Sequence, residues 1–230
     1  MADEQVKARY QGNLGENYHR KKRGIPKAAF SWVSRLRAEK FAPYFKGNET
    51  VLEYGVGWGW NLASLKCQRK IGFDVSEMLA DEVRASGIEF VNDTKSLAVD
   101  SCDAVICHHT LEHALHPPEI LQEIKRLLRP GGLLLLQVPF EKERRYWRFN
   151  PEEPNHHLYS WNVQTLGNLV SALDFQILEA GLGEFGYDRF AAAWAEKLGV
   201  GETGFRFIRR LAHTIRPLRE VRIVAKKKAG

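Results

Sequence analysis

The sequence predicts an α/β fold: a seven-stranded, mostly parallel sheet with helices on both faces and an antiparallel last strand. Three observations predict it. From 48 to 139, short β-branched apolar runs alternate with helical patterns, the signature of successive βαβ units. The run VLEYGVGWGWNL, 51 to 62, ends a strand in Gly55, Gly57 and Gly59, the place where such sheets bring bare backbone against a ligand. Two further strand patterns close the chain beyond a long polar loop. The 230 residues, 44% hydrophobic and 27% charged, suit one globular domain with enough apolar area to offset chain entropy.

The elements follow in order. Residues 1–47 form a basic, partly helical cap, 48–140 the cofactor-binding core, and 141–230 the acceptor side. TVLEY (50–54), KIGFDV (70–75), IEFVN (88–92), DAVICH (103–108) and LLLLQV (133–138) are the first five strands. PPEILQEIKRLLRPGG is the clearest helix, with Ile120, Leu121, Ile124, Leu127 and Leu128 on one face, Pro118 to start it and Pro130-Gly131 to stop it. After Pro139, EKERRYWRFNPEEPNHHLYSW has no periodicity and reads as a long loop, a type usually tied to function. NVQTLGNLVSAL is a helix, DFQILEAGLGEF and EVRIVAKK are strands, and 187–218 holds two inserted helices. In the second of these, Phe205, Phe207, Ile208, Leu211 and Ile215 recur at helical spacing among arginines. The plainest expectation packs that stripe on the core and leaves Arg206, Arg209 and Arg210 in solvent.

Composition excludes several classes. Cys67, Cys102 and Cys107 have neither an even count nor CxxC spacing, so no disulfide framework or zinc site is suggested. Eight histidines appear without HExxH or comparable carboxylate spacing, and no metal is expected. The longest apolar run falls far short of the roughly 20 residues of a membrane span, and Met1 precedes Ala-Asp-Glu rather than a signal core, so a cytoplasmic protein is expected. The formal charge of +6 is concentrated in 19–23, 205–219 and 226–228, which favours anionic partners.

The glycine loop discriminates among cofactors. A dinucleotide site wants GxGxxG, but Trp60 stands where the third glycine would pack helix on strand, and a P-loop lacks its Gly-Lys-Ser/Thr. A nucleoside-bearing cofactor without pyrophosphate remains. The ordered set LEYGVGWG, FDVSEML (73–79), FVND, SCDAVICHHTLEHALHP and LLRPGGLLLLQVP resembles the class I S-adenosylmethionine-dependent methyltransferases, in particular the small-molecule group called type 11. The resemblance runs from about 48 to 140 and implies a Rossmann-like fold with S-adenosylmethionine as cofactor.

It also implies roles for single residues. Glu53 would meet the methionyl ammonium, or else partner the N-terminus of the next helix. Gly55, Gly57 and Gly59 would pass under the cofactor. Asp74 would accept from both ribose hydroxyls. Val75 and Met78 would pack on adenine, with core packing as the alternative. Asp93 would accept from the adenine amine beside Thr94, or simply shape a turn. His108 would line the cleft through its backbone, and Tyr18 resembles a tyrosine that in some relatives approaches the cofactor carboxylate.

Methyl transfer from a sulfonium is an in-line displacement, so the protein positions the partners and, for a hydroxyl acceptor, removes a proton. The loop motif NHHLYSW offers His157 as that base, with His109 and His113 as rivals. The strand-four exit, Cys107-His108-His109-Thr110, lacks the Asn-Pro-Pro-Tyr type of motif, which disfavours adenine-N6 methylation. The leading expectation is O-methylation of a small anionic, sugar-containing or lipid-linked acceptor. An RNA or protein methyltransferase comes second, without an appended RNA-binding module; a catalytically inactive cofactor-binding partner subunit comes third. Peripheral contact with an anionic membrane fits the basic helix, and the sequence leaves oligomeric state open.

Overall fold

The computed structural model describes residues 8, 10–12, 15, 24–142, 147–151, 153 and 155–229. Tyr18 lies outside them. The strands are β1 (Thr50–Tyr54), β2 (Arg69–Phe73), β3 (Glu89–Val91), β4 (Cys102–His108), β5 (Leu128–Pro139), β6 (Phe175–Glu184) and β7 (Arg219–Lys227). They form one seven-stranded sheet in the order β3-β2-β1-β4-β5-β7-β6. β1, β2, β3, β4 and β5 run parallel, and β7 enters antiparallel between β5 and β6. The order reverses between β1 and β4, so the crevice beyond their carboxyl ends is the natural ligand site of such a sheet.

The helices are α1 (Phe30–Phe41), α2 (Ala80–Ala85), α3 (Pro117–Leu127), α4 (Val163–Ala172), α5 (Asp188–Lys197) and α6 (Gly201–Ile215). Strand alternation splits the core into two layers. Leu52, Val105, Leu134 and Leu136 point to one face and meet Leu121, Ile124 and Leu127 of α3 and Leu166 and Val170 of α4. Val51, Ile106, Leu135 and Val224 point to the other and meet Phe41 of α1 and Val83 of α2. A third cluster joins Val33 of α1 to Ala191, Ala192 and Ala195 of α5 and Phe205 of α6, so the chain's beginning and the inserted helices share one small core.

Three expectations need correction. The glycine loop does not open a regular helix: residues 60–64 form turns. Roughly nine residues between Gly59 and Arg69 would make a helix of about 13 Å, short of the about 16 Å needed to run back along five-residue β1, so the chain crosses partly extended. Pro130-Gly131 does end α3, but it falls inside β5: pairing runs Cys102 to Leu128, then Ala104 to Leu133, with Gly131 at φ +79° in the bulge between them. The stripe of α6 is the third. Phe205 is buried and Ile208 packs beside it, yet Phe207, Leu211 and Ile215 are exposed, and Arg209 turns inward to Asp188 while Arg206 pairs with Glu39 nearer the surface.

Candidate active site

A cavity of about 1950 Å³ opens beyond the carboxyl ends of β1, β2 and β4 and is closed from above by α1, the start of α5 and the approach to β7. Its floor is the glycine loop. The amides of Gly55 and Val56 both donate to the Phe73 carbonyl at 2.8 Å, which lashes the loop to the end of β2. Gly57 N–H donates to Asp74 Oδ2 at 2.9 Å, and Ser76 N–H to Asp74 Oδ1 at 3.0 Å. Asp74 therefore shapes the loop as well as facing the cavity, and each of its oxygens keeps lone-pair capacity for a hydroxyl. Burial pushes its carboxyl above the usual range, against the pull of these amides.

The three glycines have different reasons. Gly57, at φ +50°, has nothing within 4 Å of where a Cβ would project, so the cavity reaches its backbone. Gly55 admits no side chain because Thr110 Oγ1 would lie 2.2 Å from it. Gly59 stands behind the cavity wall and lets Ile88 close to 2.9 Å from its would-be Cβ.

Glu53 ends β1 under the floor, 1% exposed; Asn61 Nδ2 donates to its Oε1, while Oε2 has no partner. Burial raises its carboxyl to about 8, more than the Asn61 bond and the field of Arg37 lower it. A buried carboxylate oxygen without a donor, beside a glycine floor bare of side chains, fits a cationic, ribose-bearing ligand. Val75, Asp93 and Thr94 line the cavity, with Asp93 Oδ1 accepting from Lys95 N–H at 2.9 Å as the cap of a short turn. Met78 is 40% exposed and lies outside the lining. The bulk around the loop is explained by packing: Trp60 meets Phe30 edge-on at 6.4 Å and carries Arg37 over its ring at 5.0 Å.

The far half of the cavity gathers imidazoles and carboxylates from remote positions. His108 and His109 stack at 4.2 Å. His109 Nε2 lies 3.0 Å from Glu220 Oε2, and Lys40 Nζ donates to Glu220 Oε1 at 2.7 Å. Burial would raise Glu220, but Lys40 and the two imidazoles bring it well below the carboxylate range. His108, pushed down to about 3 by burial and by His109, is neutral. Nearby, His157 Nδ1 lies 2.6 Å from Glu141 Oε1 and His113 Nδ1 2.9 Å from the Tyr10 hydroxyl, while both Nε2 atoms face Glu112. The three histidines expected as base candidates thus fall on one cavity, in two groups. Their carboxylate partners Glu220, Glu141 and Glu112 carry no sequence signal of pairing, since Glu220 lies 111 residues from His109.

Comparison with known proteins gives the class. A family model described as methyltransferase domain matches residues 22–180, and the chain belongs to that family. The matched part is a methyltransferase domain of the S-adenosylmethionine-dependent kind, on the Rossmann-like fold of class I. A Mycolicibacterium smegmatis protein named as an S-adenosylmethionine-dependent methyltransferase is 30% identical over 57% of this chain and 52% of its own length. The tRNA U34 carboxymethyltransferase of Idiomarina loihiensis is 28% identical over 46% of this chain and 38% of its own length. The chain thus spans about half or less of these two relatives. A methyltransferase structure from Bacillus halodurans superposes with a TM-score of 0.61 at 19% identity, covering 84% of this chain and 98% of that one, a likeness of fold.

Proposed function

We propose that the protein transfers the methyl group of S-adenosylmethionine to a hydroxyl oxygen of an anionic, lipid-linked acceptor. The observation that carries this reading is a set of exposed apolar side chains on α5 and α6, the first of them at the mouth of the cavity. Phe190 lines the cavity and is half-exposed; Trp194 follows it on α5 and Leu198 stands just past its end, and Phe207, Leu211 and Ile215 stand on α6 at the same four-residue spacing, 67%, 51% and 77% exposed. Arg216 and Arg219 line the same opening, where they suit an anionic headgroup. A lipid chain laid on these apolar side chains leaves its headgroup at the cavity.

S-adenosylmethionine, when bound, supplies an electrophilic methyl group. The chain's own residues do the rest. Asp74 accepts from the ribose hydroxyls, Glu53 faces the ammonium, Gly55 and Gly57 keep the floor free of side chains, and Val75, Asp93 and Thr94 border the adenine. His109 takes the acceptor's proton: Glu220, with its charge fixed by Lys40, holds Nε2 and stabilises the imidazolium, leaving Nδ1 to accept. His157 bound to Glu141 is the alternative base.

The test is sedimentation with anionic vesicles of phosphatidylglycerol, against neutral vesicles and structured RNA. Wild type is expected to sediment with anionic vesicles only, and Phe207→Gln/Leu211→Gln/Ile215→Gln is expected to stay in solution while still binding S-adenosylmethionine. The tRNA-modifying relative motivates the RNA arm. Salt-sensitive RNA binding without vesicle binding would overturn the lipid reading in favour of an RNA acceptor.

A further inference from the structure

Two groups of side chains at the cavity wall bring one carboxylate and two imidazoles within metal-ligand reach: His108 and His109 with Glu220 buried behind them, and Glu112, His113 and His157. They differ in charge balance. Glu220 already has a cation, Lys40 Nζ at 2.7 Å, together with the His109 contact, and needs no other. Glu112 is 1% exposed and both of its carboxylate oxygens lack a hydrogen-bond partner; among the described residues no lysine or arginine pairs with it. A buried, wholly unsatisfied carboxylate is costly unless something cationic sits against it.

The surrounding geometry says what that is. His113 Nε2 lies 3.9 Å and His157 Nε2 4.0 Å from the same Glu112 oxygen, and the three ligand atoms stand within 4.8 Å of one another. With bonds of about 2.1 Å, tetrahedral ligand atoms are about 3.4 Å apart, so each histidine has to close on Glu112 by only roughly half an ångström. Each histidine also has its other nitrogen engaged: His157 Nδ1 on Glu141 at 2.6 Å, His113 Nδ1 on Tyr10 at 2.9 Å. The Glu141 carboxylate can only accept, which puts the His157 ring proton on Nδ1 and its Nε2 lone pair toward Glu112; His113 takes the same form when the Tyr10 hydroxyl accepts from its Nδ1–H, as outer partners do for ligating histidines. All five side chains line the cavity.

We propose that Glu112, His113 and His157 bind one divalent transition-metal ion, with Glu141 and Tyr10 orienting the two imidazoles. Two nitrogens and one oxygen select ions of the manganese-to-zinc series over magnesium or calcium, which prefer oxygen throughout. Three protein ligands leave positions for water or for an acceptor oxygen, and a hydroxyl bound there would lose its proton more readily. Sequence spacing cannot suggest such a site, because His157 joins Glu112 and His113 only through the long loop after β5.

Binding is tested on the full chain, purified without a polyhistidine tag, stripped with EDTA and dialysed into metal-free buffer. Neither cofactor nor acceptor is present, so the result stands apart from the assignment of the methyl acceptor. Calorimetric titration with zinc or manganese is expected to show one site per chain, and cobalt to give d–d absorption of a mixed nitrogen and oxygen site. Glu112→Gln and His157→Ala are expected to weaken binding by more than tenfold, and Glu141→Gln by roughly ten- to a hundredfold. His116→Ala, on the cavity wall outside the group, should bind as wild type does. Melting curves establish that each variant is folded; if Glu112→Gln is not, His157→Ala and Glu141→Gln decide. No stoichiometric binding by the wild type, or equal binding by folded His157→Ala and Glu141→Gln, overturns the proposal.

Discussion

Glu53 carries the clearest single-residue consequence. Its carboxyl, raised by burial to about 8, is neutral over much of the range in which an unfolded glutamate, at about 4.3, is ionised. A raised carboxyl contributes stability that is full below the unfolded value and disappears as pH climbs through the folded one. The ligand-free protein is therefore expected to lose stability between about pH 4 and 8 on account of Glu53, while an ammonium placed against it requires the ionised form. Cofactor binding near pH 7 should then release up to roughly one proton and tighten toward pH 8. Calorimetry in two buffers of different ionisation enthalpy reads this directly, and Glu53→Gln should remove the buffer dependence. Identical heats in both buffers for the wild type would leave Glu53 without this role. The carboxylate itself was legible two residues before the first glycine; its burial was not, because that depends on Asn61 folding back in a turn where the pattern reads helix.

At the scale of elements, the strands and the helices α3, α4, α5 and α6 were legible because each is written in local periodicity and local punctuation, and the structure adds an Asn162 cap at the start of α4. What local pattern could not tell is which side of an amphipathic helix faces in. The expected packing of α6 holds for Phe205 and Ile208 and fails for Phe207, Leu211 and Ile215, because Arg209 and Arg206 find acids on neighbouring elements. Arg209 Nε donates to Asp188 Oδ1 at 2.9 Å, Arg37 donates to Asp188 Oδ2 at 3.0 Å, and Arg206 reaches Glu39 and Glu202. Asp188 is buried, and the two arginines hold its carboxyl below the usual range although burial opposes them. Arg209→Gln should therefore cost about 1 to 3 kcal/mol, part of the price of breaking a buried pair because Arg37 remains. Arg210→Gln, on the solvent side, should stay within about 0.5 kcal/mol. Urea denaturation of the two variants compares them; equal midpoints would mean that Asp188 does not depend on Arg209.

Across the whole molecule, the cavity is where distant parts of the chain are tied together. Lys40 of α1 holds Glu220 of β7, Arg37 of α1 holds Asp188 of α5, and Arg35 meets Glu202 of α6. Only the first half of this was readable, since ordered motifs along β1 to β5 mark the cofactor floor, whereas its roof is built from ion pairs spanning most of the sequence. Roof and floor meet at Trp60, held by Phe30 and Arg37 in the position where a dinucleotide-binding loop needs glycine. A ligand seated between them should stabilise cap, core and inserted helices together. At one hundred times its dissociation constant, S-adenosylmethionine should add about 2.7 kcal/mol. For a chain of this size that corresponds to a melting temperature about 5 to 11 °C higher, in a single transition. NAD, for which Trp60 leaves no close helix packing, should shift nothing. Scanning calorimetry with each ligand decides it: a shift with NAD but none with S-adenosylmethionine would refute the assignment of the glycine loop, and two transitions with only one responding would show that the roof does not close on the bound cofactor.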